Sequence, residues 1–374
     1  MRMKFFADER FLIHTKDIAS FHYPFWLKPE DISQDRLRIF SNYMRIADDI
    51  FEPTSLGKAD FAVMPHDWGN IRGAVWNNKI NHPAKQLSIR FASIVEQMNK
   101  PIVVFFSGDC SDERIPLKNV FIFRQSAYCT RLKENEFVYP APCKNIIRDY
   151  LQGQLPIRQK CRNPVVGFCG YLESNSLKTT LKTVQYHGIT VFTRNRFGVS
   201  PYKGKILRHK MVKYLAENEN IETNFLIRNR KVFFNEKDSE IRERVYSDFL
   251  RNIIDSDYTL CCRGSGNYSI RFYEVLACGR IPIFVDTDCS LPYDFEIDWK
   301  KYCIWIDEKD ISRIAEKVLE FHARISPQEF VQLQKECHQL WKNWLSPEGF
   351  YSNFYRHFLW EERSLQSFKR SLST

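Results

Sequence analysis

The chain has 374 residues, of which 44% are hydrophobic and 15% aromatic, and its 55 Lys and Arg outnumber its 45 Asp and Glu. This length suggests about two domains that each bury a core, and the aromatic content excludes an intrinsically disordered chain. The longest apolar runs, such as Ile102–Phe106, are far shorter than the about 18 residues that a membrane span needs. The N-terminus reaches Asp8 too early to contain the apolar segment of a signal peptide, so we expect a cytoplasmic protein.

Short apolar runs alternate with stretches of helical period along the chain. The runs predict buried strands at Phe61–Met64, Ile102–Phe106, Val120–Phe123, Val165–Phe168, Ile189–Phe192, Thr259–Cys262, Ile281–Val285 and Cys303–Ile306. Apolar stripes predict amphipathic helices around Leu87–Met98, Ile241–Ile253 and Ile311–Leu319. Strands that alternate with helices are typical of parallel sheets, so we expect an α/β fold.

A polar, proline-punctuated stretch from Tyr139 to Pro164 separates two such runs. We therefore expect two doubly wound domains facing a cleft, because ligands of open α/β sheets bind at the carboxyl ends of the strands. The N-terminal domain would span residues 1–150 and the C-terminal domain residues 151–345. The aromatic stretch after Trp341 predicts a packed helix within residues 346–374, with attachment to a membrane surface as the alternative.

The cysteine pattern indicates neither a zinc site nor a redox site. The 11 cysteines include no C-x-x-C pair, and those in apolar runs are predicted to be core thiols rather than zinc or redox ligands. These core thiols are Cys169, Cys261, Cys262 and Cys303.

Between Arg194 and Lys213 the chain has basic residues and no acid, which predicts either a solvated surface or a phosphate or polyanion site.

The most informative segment is Thr259–Asp286. A buried strand runs into the loop Arg263-Gly264-Ser265-Gly266-Asn267, and a helix that Ser269 can cap follows. Free N–H groups at a helix start attract an anion, and Arg271 in the first turn is favourable if an anion is bound nearby. Glu274, on the same helix face, is placed to accept hydrogen bonds from ribose hydroxyls. The alternative is that the glycines only form a turn while Arg271 and Glu274 form a surface pair.

Segment Arg244–Trp299 resembles the exostosin family of glycosyltransferases. The shared pattern is a Tyr several residues before a Ser, a strand, a glycine loop, Ser-x-Arg-x-x-Glu, a Gly-x-Ile-Pro strand, a Leu-Pro pair and a closing Asp-Trp. Upstream, the run from Ala59 through the His-Asp-Trp turn and the strand Val165–Gly170 look like further parts of that family, so about half of the chain is covered. The family's turn usually comes later than residue 66, so either Asp67 or Asp109 can occupy the equivalent place.

The resemblance implies a GT-B fold of two Rossmann-like domains, with the C-terminal helix crossing back to the N-terminal domain. It also implies inverting transfer of a sugar from a UDP- or GDP-linked donor to a hydroxyl of a glycan or lipid-linked glycan, with no metal and no nucleic acid partner. Peripheral contact with the inner membrane face stays open. By this resemblance the donor site comprises Arg194, Arg196, Arg263, Gly264, Ser265, Gly266, Ser269, Arg271 and Glu274. In that set Glu274 would bind the ribose, and Gly264, Ser265, Ser269 and Arg271 the diphosphate.

Inverting transfer also needs a group that takes the proton of the acceptor hydroxyl. His66, Asp67 and Asp109 are the candidates, since all three follow apolar strands in the N-terminal half. His66 would orient Asp67, whereas the neighbouring acids Asp112 and Glu113 would raise the pKa of Asp109. We favour Asp67 narrowly as the base.

Three other hypotheses can be compared with this one. A retaining enzyme with two glutamates eight positions apart is excluded, because Gly266 stands eight positions before Glu274. The triplet Asp286-Thr287-Asp288 matches the Asp-x-Asp of metal-dependent GT-A transferases. A polyanion-binding protein that keeps the fold without catalysis is the third alternative.

Overall fold

The computed structural model describes residues 2–73, 80–172, 181–185, 202–228 and 238–359. The chain forms two compact units that are each built from separate segments. The N-terminal unit comprises Met1–Lys144, Asp288–Ile297 and Asn343–Thr374, and the C-terminal unit comprises Asn145–Thr287 and Asp298–Lys342. The segment Asp288–Ile297 thus groups with the N-terminal unit, whereas the sequence analysis placed it inside residues 151–345.

Each unit has one parallel sheet at its centre. The strands are β1 (Met3–Phe6), β2 (Phe51–Pro53), β3 (Phe61–Val63), β4 (Ile102–Phe106), β5 (Val120–Arg124), β6 (Glu136–Val138), β7 (Val165–Tyr171), β8 (Glu222–Arg228), β9 (Tyr258–Cys261), β10 (Ile281–Asp286) and β11 (Ile304–Asp307). The N-terminal sheet has the order β2-β1-β3-β4-β5-β6, and the C-terminal sheet has the order β11-β10-β9-β7-β8. Every pair of neighbouring strands in the two sheets is parallel, which confirms the predicted α/β class.

Helices alternate with these strands in both units. They are α1 (Tyr23–Trp26), α2 (Gln34–Ile50), α3 (Trp68–Arg72), α4 (His82–Gln97), α5 (Ile146–Tyr150), α6 (Lys203–Ala216), α7 (Ser239–Ile254), α8 (Ile270–Ala277), α9 (Ile314–Arg324), α10 (Pro327–Leu340) and α11 (Pro347–Ser352). Helices α4, α7 and α10 start at capping side chains; Asp238, for example, accepts hydrogen bonds from two backbone N–H groups of α7. None of the described helices is long and apolar enough to span a membrane.

The aromatic residues near the end of the chain pack on the sheet of the N-terminal unit. The ring of Phe354 stacks on Phe123 with centroids 4.9 Å apart, and Phe358 stacks on Phe61 at 5.3 Å. Burying one such ring contributes about 2 kcal/mol. Phe350 and Phe354 of the predicted aromatic stretch are therefore buried in the core of this unit, and the half-buried Phe358 packs against it.

The predicted strands overlap β3, β4, β5, β7, β9, β10 and β11. The predicted strand Ile189–Phe192 lies outside the described residues. Helix α4 forms as predicted. The apolar stripe also predicted that Ile94 and Met98 are buried, and this was wrong, because their side chains are 43% and 50% exposed. Its buried face is set instead by a row of smaller residues around Phe91 and Val95.

Candidate functional site

The residues Arg263–Asn267, here called the glycine loop, follow β9 at the carboxyl edge of the C-terminal sheet. The fully buried Asn267 holds the loop to the end of β10: its amide donates to the Thr287 carbonyl at 3.2 Å and accepts from the Thr287 hydroxyl at 2.5 Å. The Gly264 N–H donates to the Tyr268 carbonyl at 3.1 Å. The loop is thus a fixed turn between strand β9 and helix α8.

Two glycines at this edge have opposite surroundings. A Cβ atom on Gly264 would have no heavy atom within 4 Å, so packing within the described residues does not require glycine there. A Cβ atom on Gly204 of α6 would lie 2.3 Å from the Arg263 carbonyl oxygen and 2.6 Å from that of Gly264. Glycine at position 204 therefore lets the start of α6 pack directly on the glycine loop, while space remains above Gly264.

Arg271 lies in the first turn of α8 and turns its side chain toward the strand ends. Its guanidinium donates to the carbonyl oxygen of Cys169 and, at 3.5 Å, to that of Leu260. It also lies over the rings of Phe168 and Phe249, at 4.8 and 5.6 Å from their centroids. These contacts offset the unfavourable position of a cation at a helix start. Its Nε is buried and has no partner among the described residues.

Arg208 is a further cation at this edge, which the sequence analysis saw only as part of a basic stretch. Its Nε donates to the Gly204 carbonyl at 3.0 Å, one turn earlier in α6. Burial, together with the positive charge of Arg271, lowers the pKa of Arg208. Arg208 forms no ion pair with a described residue. Arg208 is half-buried, and a cation that is partly removed from water without a matching acid is costly. A bound anion would relieve that cost.

Two more arginines lie at the same edge. Arg263 is 3% exposed and donates to the carbonyl of Ser265 at 3.1 Å. Arg228, the last residue of β8, pairs with Asp248 of α7. The carboxyl ends of β7, β8 and β9 therefore collect four arginines, namely Arg208, Arg228, Arg263 and Arg271. The sequence does not reveal this cluster, because the four arginines are spread over about 60 positions and come together only where α6 approaches the loop.

The other predicted donor residues that the structure describes lie in the glycine loop, at the cap of α8 or within α8. Ser269 is the cap residue of α8 as predicted in position, but its side chain makes no capping hydrogen bond. Glu274 is half-buried one turn after Arg271. Burial raises the pKa of the Cys278 thiol, and the negative charge of Glu274 raises it further. Ser265 and Gly266 belong to the loop itself. Arg194 and Arg196 lie outside the described residues.

The thiols around the loop are protonated and buried. Burial raises the pKa of Cys262 to about 11, and it raises that of Cys261 further. Cys169 and Cys303 are also buried free thiols. These four cysteines line the core as expected and do not act as nucleophiles at neutral pH.

The residues of the Asp-x-Asp triplet are used by other contacts. Thr287 binds Asn267, whereas both carboxylate oxygens of Asp288 accept hydrogen bonds from Thr130, at 3.1 Å from its N–H and 2.6 Å from its hydroxyl. Among the described residues no group of three or more His, Cys, Asp or Glu side chains is arranged to hold a metal ion. The Asp288 carboxylate is therefore engaged within its own unit.

Asp67 follows β3 in the N-terminal unit and caps helix α3. Its Oδ1 accepts three hydrogen bonds, from the Gly69 N–H at 2.7 Å, the Ser107 N–H at 3.0 Å and the Ser107 hydroxyl at 2.8 Å. Its Oδ2 accepts none from a described residue. Burial raises the pKa of this carboxyl, although the three bonds oppose the shift. One oxygen is thus fixed and the other can accept a proton.

Gly69 makes this arrangement sterically possible. A Cβ atom at position 69 would lie 2.4 Å from the Ser107 carbonyl oxygen and 2.6 Å from its hydroxyl. Ser107, which directly follows β4, was not among the predicted site residues. No sequence signal links it to Asp67, because the contact joins two strand ends that lie 40 positions apart.

His66 does not orient Asp67, contrary to the expectation. Its Nε2 accepts the Ile13 N–H at 3.3 Å, so Nδ1 carries the proton and donates to the Ser88 hydroxyl at 3.2 Å. Burial lowers the pKa of His66, which is fully enclosed. The imidazole therefore ties the N-terminal segment to α4 and is turned away from the carboxylate beside it.

Asp109 lies on the turn after β4, next to a strong ion pair. Glu113 accepts two bonds from the Arg72 guanidinium, at 2.5 and 2.8 Å. The negative charge of Glu113 is therefore balanced by Arg72. This weakens the argument that an uncompensated acidic cluster raises the pKa of Asp109.

Groups on three helices of the N-terminal unit lie near Asp67. The positive charge of Arg36, an exposed residue of α2, lowers the pKa of Asp67, and its guanidinium lies beside the Tyr23 hydroxyl of α1. In α11 the Tyr351 hydroxyl pairs with Ser20 at 3.3 Å, and burial, with a smaller contribution from the charge of Asp67, raises its pKa. A guanidinium and phenol hydroxyls thus lie near the Asp67 carboxylate, which suits the binding of a polar hydroxylated molecule.

Comparison with known sequences gives two matches. A sequence model of the Exostosin GT47 domain matches residues 183–320. Exostosin-1 of Drosophila melanogaster is 29% identical over 115 residues, which is 31% of this chain and 15% of that protein. The chain thus spans about one seventh of the length of the curated relative that it matches.

Solved structures with a related arrangement include three proteins of low identity. The structure of TarM has a TM-score of 0.32 and 10% identity, covering 81% of this chain and 52% of TarM. The structure of Anabaena Alr3699/HepE in complex with UDP has a TM-score of 0.33 and 8% identity, covering 96% and 99%. The structure of the GtfA/B complex has a TM-score of 0.30 and 10% identity, covering 75% of this chain and 61% of the matched chain. The family-model match contains the glycine loop and α8, and the two matches confirm the predicted resemblance: residues 183–320 are similar to the exostosin GT47 domain.

Proposed function

We propose that this protein is an inverting glycosyltransferase that moves a sugar from a nucleoside diphosphate sugar to a hydroxyl of a glycan acceptor. The observation that carries the proposal is the arginine cluster at the glycine loop, within a domain of the exostosin GT47 family. Four cations at one sheet edge, with space above Gly264, suit a diphosphate. The UDP complex of HepE makes uridine the first nucleotide to test.

In the proposed reaction the C-terminal unit binds the donor and the N-terminal unit binds the acceptor. The acceptor oxygen forms a bond to the anomeric carbon while the bond from that carbon to the diphosphate oxygen breaks. The electron pair leaves with the nucleoside diphosphate, whose added charge the arginines stabilise. The hydroxyl proton passes to Oδ2 of Asp67, because Oδ1 is already held by three donors.

Asp67 is favoured as base over the other two candidates. His66 has both ring nitrogens engaged, and Asp109 adjoins an acid that Arg72 neutralises. Burial raises the pKa of Asp67, which brings a carboxyl closer to the pH at which a base is effective. The nearby Arg36 keeps the ionised form accessible.

The function can be tested by incubating the full chain with a panel of UDP- and GDP-linked sugars and glycan acceptors, with mass detection of products. Proton NMR of the new linkage then gives the anomeric configuration. Formation of a glycoside with inverted configuration, together with nucleoside diphosphate, is the expected result. Affinity for heparin or nucleic acid without release of nucleoside diphosphate would instead support the polyanion-binding alternative.

We further propose that the enzyme works in a reducing compartment, at or near the cytoplasmic face of a membrane, on a glycan or lipid-linked acceptor. The support for this is that all eleven cysteines are free thiols. Fractionation of cells that make the protein, followed by detection of the chain in soluble and membrane fractions, tests this placement.

A further inference from the structure

A second surface of the C-terminal unit has the character of a ligand site. A groove of about 370 Å³ lies between the first half of β11 and the end of α9. It is lined by Lys300, Cys303, Ile304, Trp305, Lys317, Glu320, Phe321 and Arg324. This volume falls within the range of small-molecule sites, roughly 300 to 1,000 Å³.

The groove lies away from the glycine loop. The Phe321 ring packs on Tyr258, the first residue of β9, with centroids 5.9 Å apart. The glycine loop follows the last residue of β9. The length of the strand, about 13 Å for four residues, thus separates the two places. The groove belongs to the amino edge of the sheet and the loop to its carboxyl edge.

The groove carries more cations than acids. Three of its lining residues are cations, Lys300, Lys317 and Arg324, and Glu320 is the one acid among them. Lys317 is paired with Asp310 at 3.2 Å, so the excess positive charge comes from Lys300 and Arg324. Cations grouped in this way favour a dianionic group such as a phosphate ester.

The remaining lining is aromatic. Trp305 packs on Phe284 at 4.7 Å and presents its other surface toward Lys300, whose Nζ lies 5.6 Å from the indole centroid. The Arg324 guanidinium lies 5.5 Å from the Phe321 ring centroid. Rings beside cations suit a ligand that carries an apolar face next to its charge, as sugars and nucleosides do.

We propose that this groove binds a small phosphate ester carried on a sugar or a nucleoside, separately from the donor site. The proposal does not rest on the proposed transferase activity, because none of its residues belongs to the glycine loop or surrounds Asp67. A binding measurement can therefore succeed or fail independently of catalysis.

The test is calorimetric titration of the full chain with glucose 1-phosphate, uridine monophosphate and inorganic phosphate. We expect one of the two esters to bind, with at least a several-fold preference over inorganic phosphate. The two ester arms distinguish a sugar phosphate from a nucleotide. Equal affinity for inorganic phosphate, or no binding of either ester at about 10 mM, would overturn the proposal.

Variants locate the binding. The combined change Lys300→Gln, Lys317→Gln and Arg324→Gln should weaken ester binding about tenfold or more. The matched control is Lys301→Gln with Arg313→Gln, two exposed cations of the same segment outside the groove, which should leave affinity unchanged. Single Lys300→Gln and Arg324→Gln variants, each at an exposed position, guard against loss of fold. If Arg208→Gln binds the ester more weakly while the groove variants bind it as tightly as the parent, the ester occupies the donor site and the proposal is overturned.

Discussion

Ser107 donates both its backbone N–H and its hydroxyl to one oxygen of Asp67, at 3.0 and 2.8 Å. The serine follows strand β4 and the aspartate follows strand β3, so two neighbouring strand ends fix one carboxylate. The other oxygen of Asp67 accepts no hydrogen bond from a described residue, and Tyr23 and Arg36 lie near the carboxylate. This asymmetry leads to a set of predictions about the base.

The Ser107→Ala variant should shift the pH dependence of transfer. The hydroxyl bond lowers the pKa of Asp67, so its removal raises that pKa. Because the base acts in its ionised form, the acid limb of kcat/KM moves to higher pH, and activity is lost sooner as the pH falls. Ser33→Ala, at an exposed helix cap without a side-chain bond, is the control. An unmoved acid limb would contradict the link between Ser107 and the base.

The Asp67→Asn variant should lower turnover by about 10² or more. The amide oxygen can still accept the bonds from Gly69 and Ser107, so we expect the fold and donor affinity to remain. Asp109→Asn is the matched comparison and should keep most of its activity. Steady-state kinetics with donor titration measures both effects. Parental turnover in both variants would mean that the proton leaves by another route, such as the donor phosphate.

The Arg208→Gln variant should bind UDP about tenfold or more weakly, because a charge-assisted bond contributes roughly 1.5 to 3 kcal/mol. Its thermal stability should equal or exceed that of the parent, since the variant loses a half-buried cation that has no acid partner among the described residues. Lys210→Gln, an exposed cation of the same helix, is the control. Calorimetry and thermal melting give the two readouts. If affinity is unchanged and stability falls, Arg208 is a structural residue.

The two glycines beside the loop should respond differently to alanine. Gly264→Ala places its methyl group in open space, so stability should stay within about 0.5 kcal/mol while UDP affinity falls. Gly204→Ala forces a carbon against two carbonyl oxygens and should cost about 1 to 3 kcal/mol. Chemical denaturation compares the two variants. Strong UDP binding by Gly264→Ala would show that the diphosphate lies elsewhere.

Transfer should continue in excess chelator, because the Asp288 carboxylate is engaged by Thr130. Turnover measured with and without EDTA, and after adding manganese, checks this expectation. Loss of activity in chelator that manganese restores would return the Asp-x-Asp hypothesis to first place.

The fold was predictable where burial is complete on both faces of a strand. The run Ile102–Phe106 coincides with β4, and all five residues are buried. The edge strand β8 (Glu222–Arg228) was missed, because its apolar run is only three residues long and its side chains are exposed or half-buried. The strands β1, β2 and β6 were missed because a charged residue, Lys4, Glu52 or Glu136, interrupts or precedes each short apolar run.

The site was predictable where its residues are adjacent in the sequence, as in the glycine loop and the first turns of α8. Arg208 and Ser107 could not be found this way, since their roles depend on contacts between distant segments. His66 shows the opposite limit. Its place beside Asp67 in the chain suggested a pair, but successive side chains at a strand end point in different directions.

The return of the last chain segment to the first sheet has a consequence for synthesis. Phe354 and Phe358 cover rings of β3 and β5, so the apolar face of this sheet stays incomplete until the ribosome has synthesised these two residues. The C-terminal unit, whose segments end at Lys342, can assemble earlier. The part of the protein that is made first is thus the part that folds last, and a premature stop before residue 343 would leave its aromatic surface exposed to aggregation.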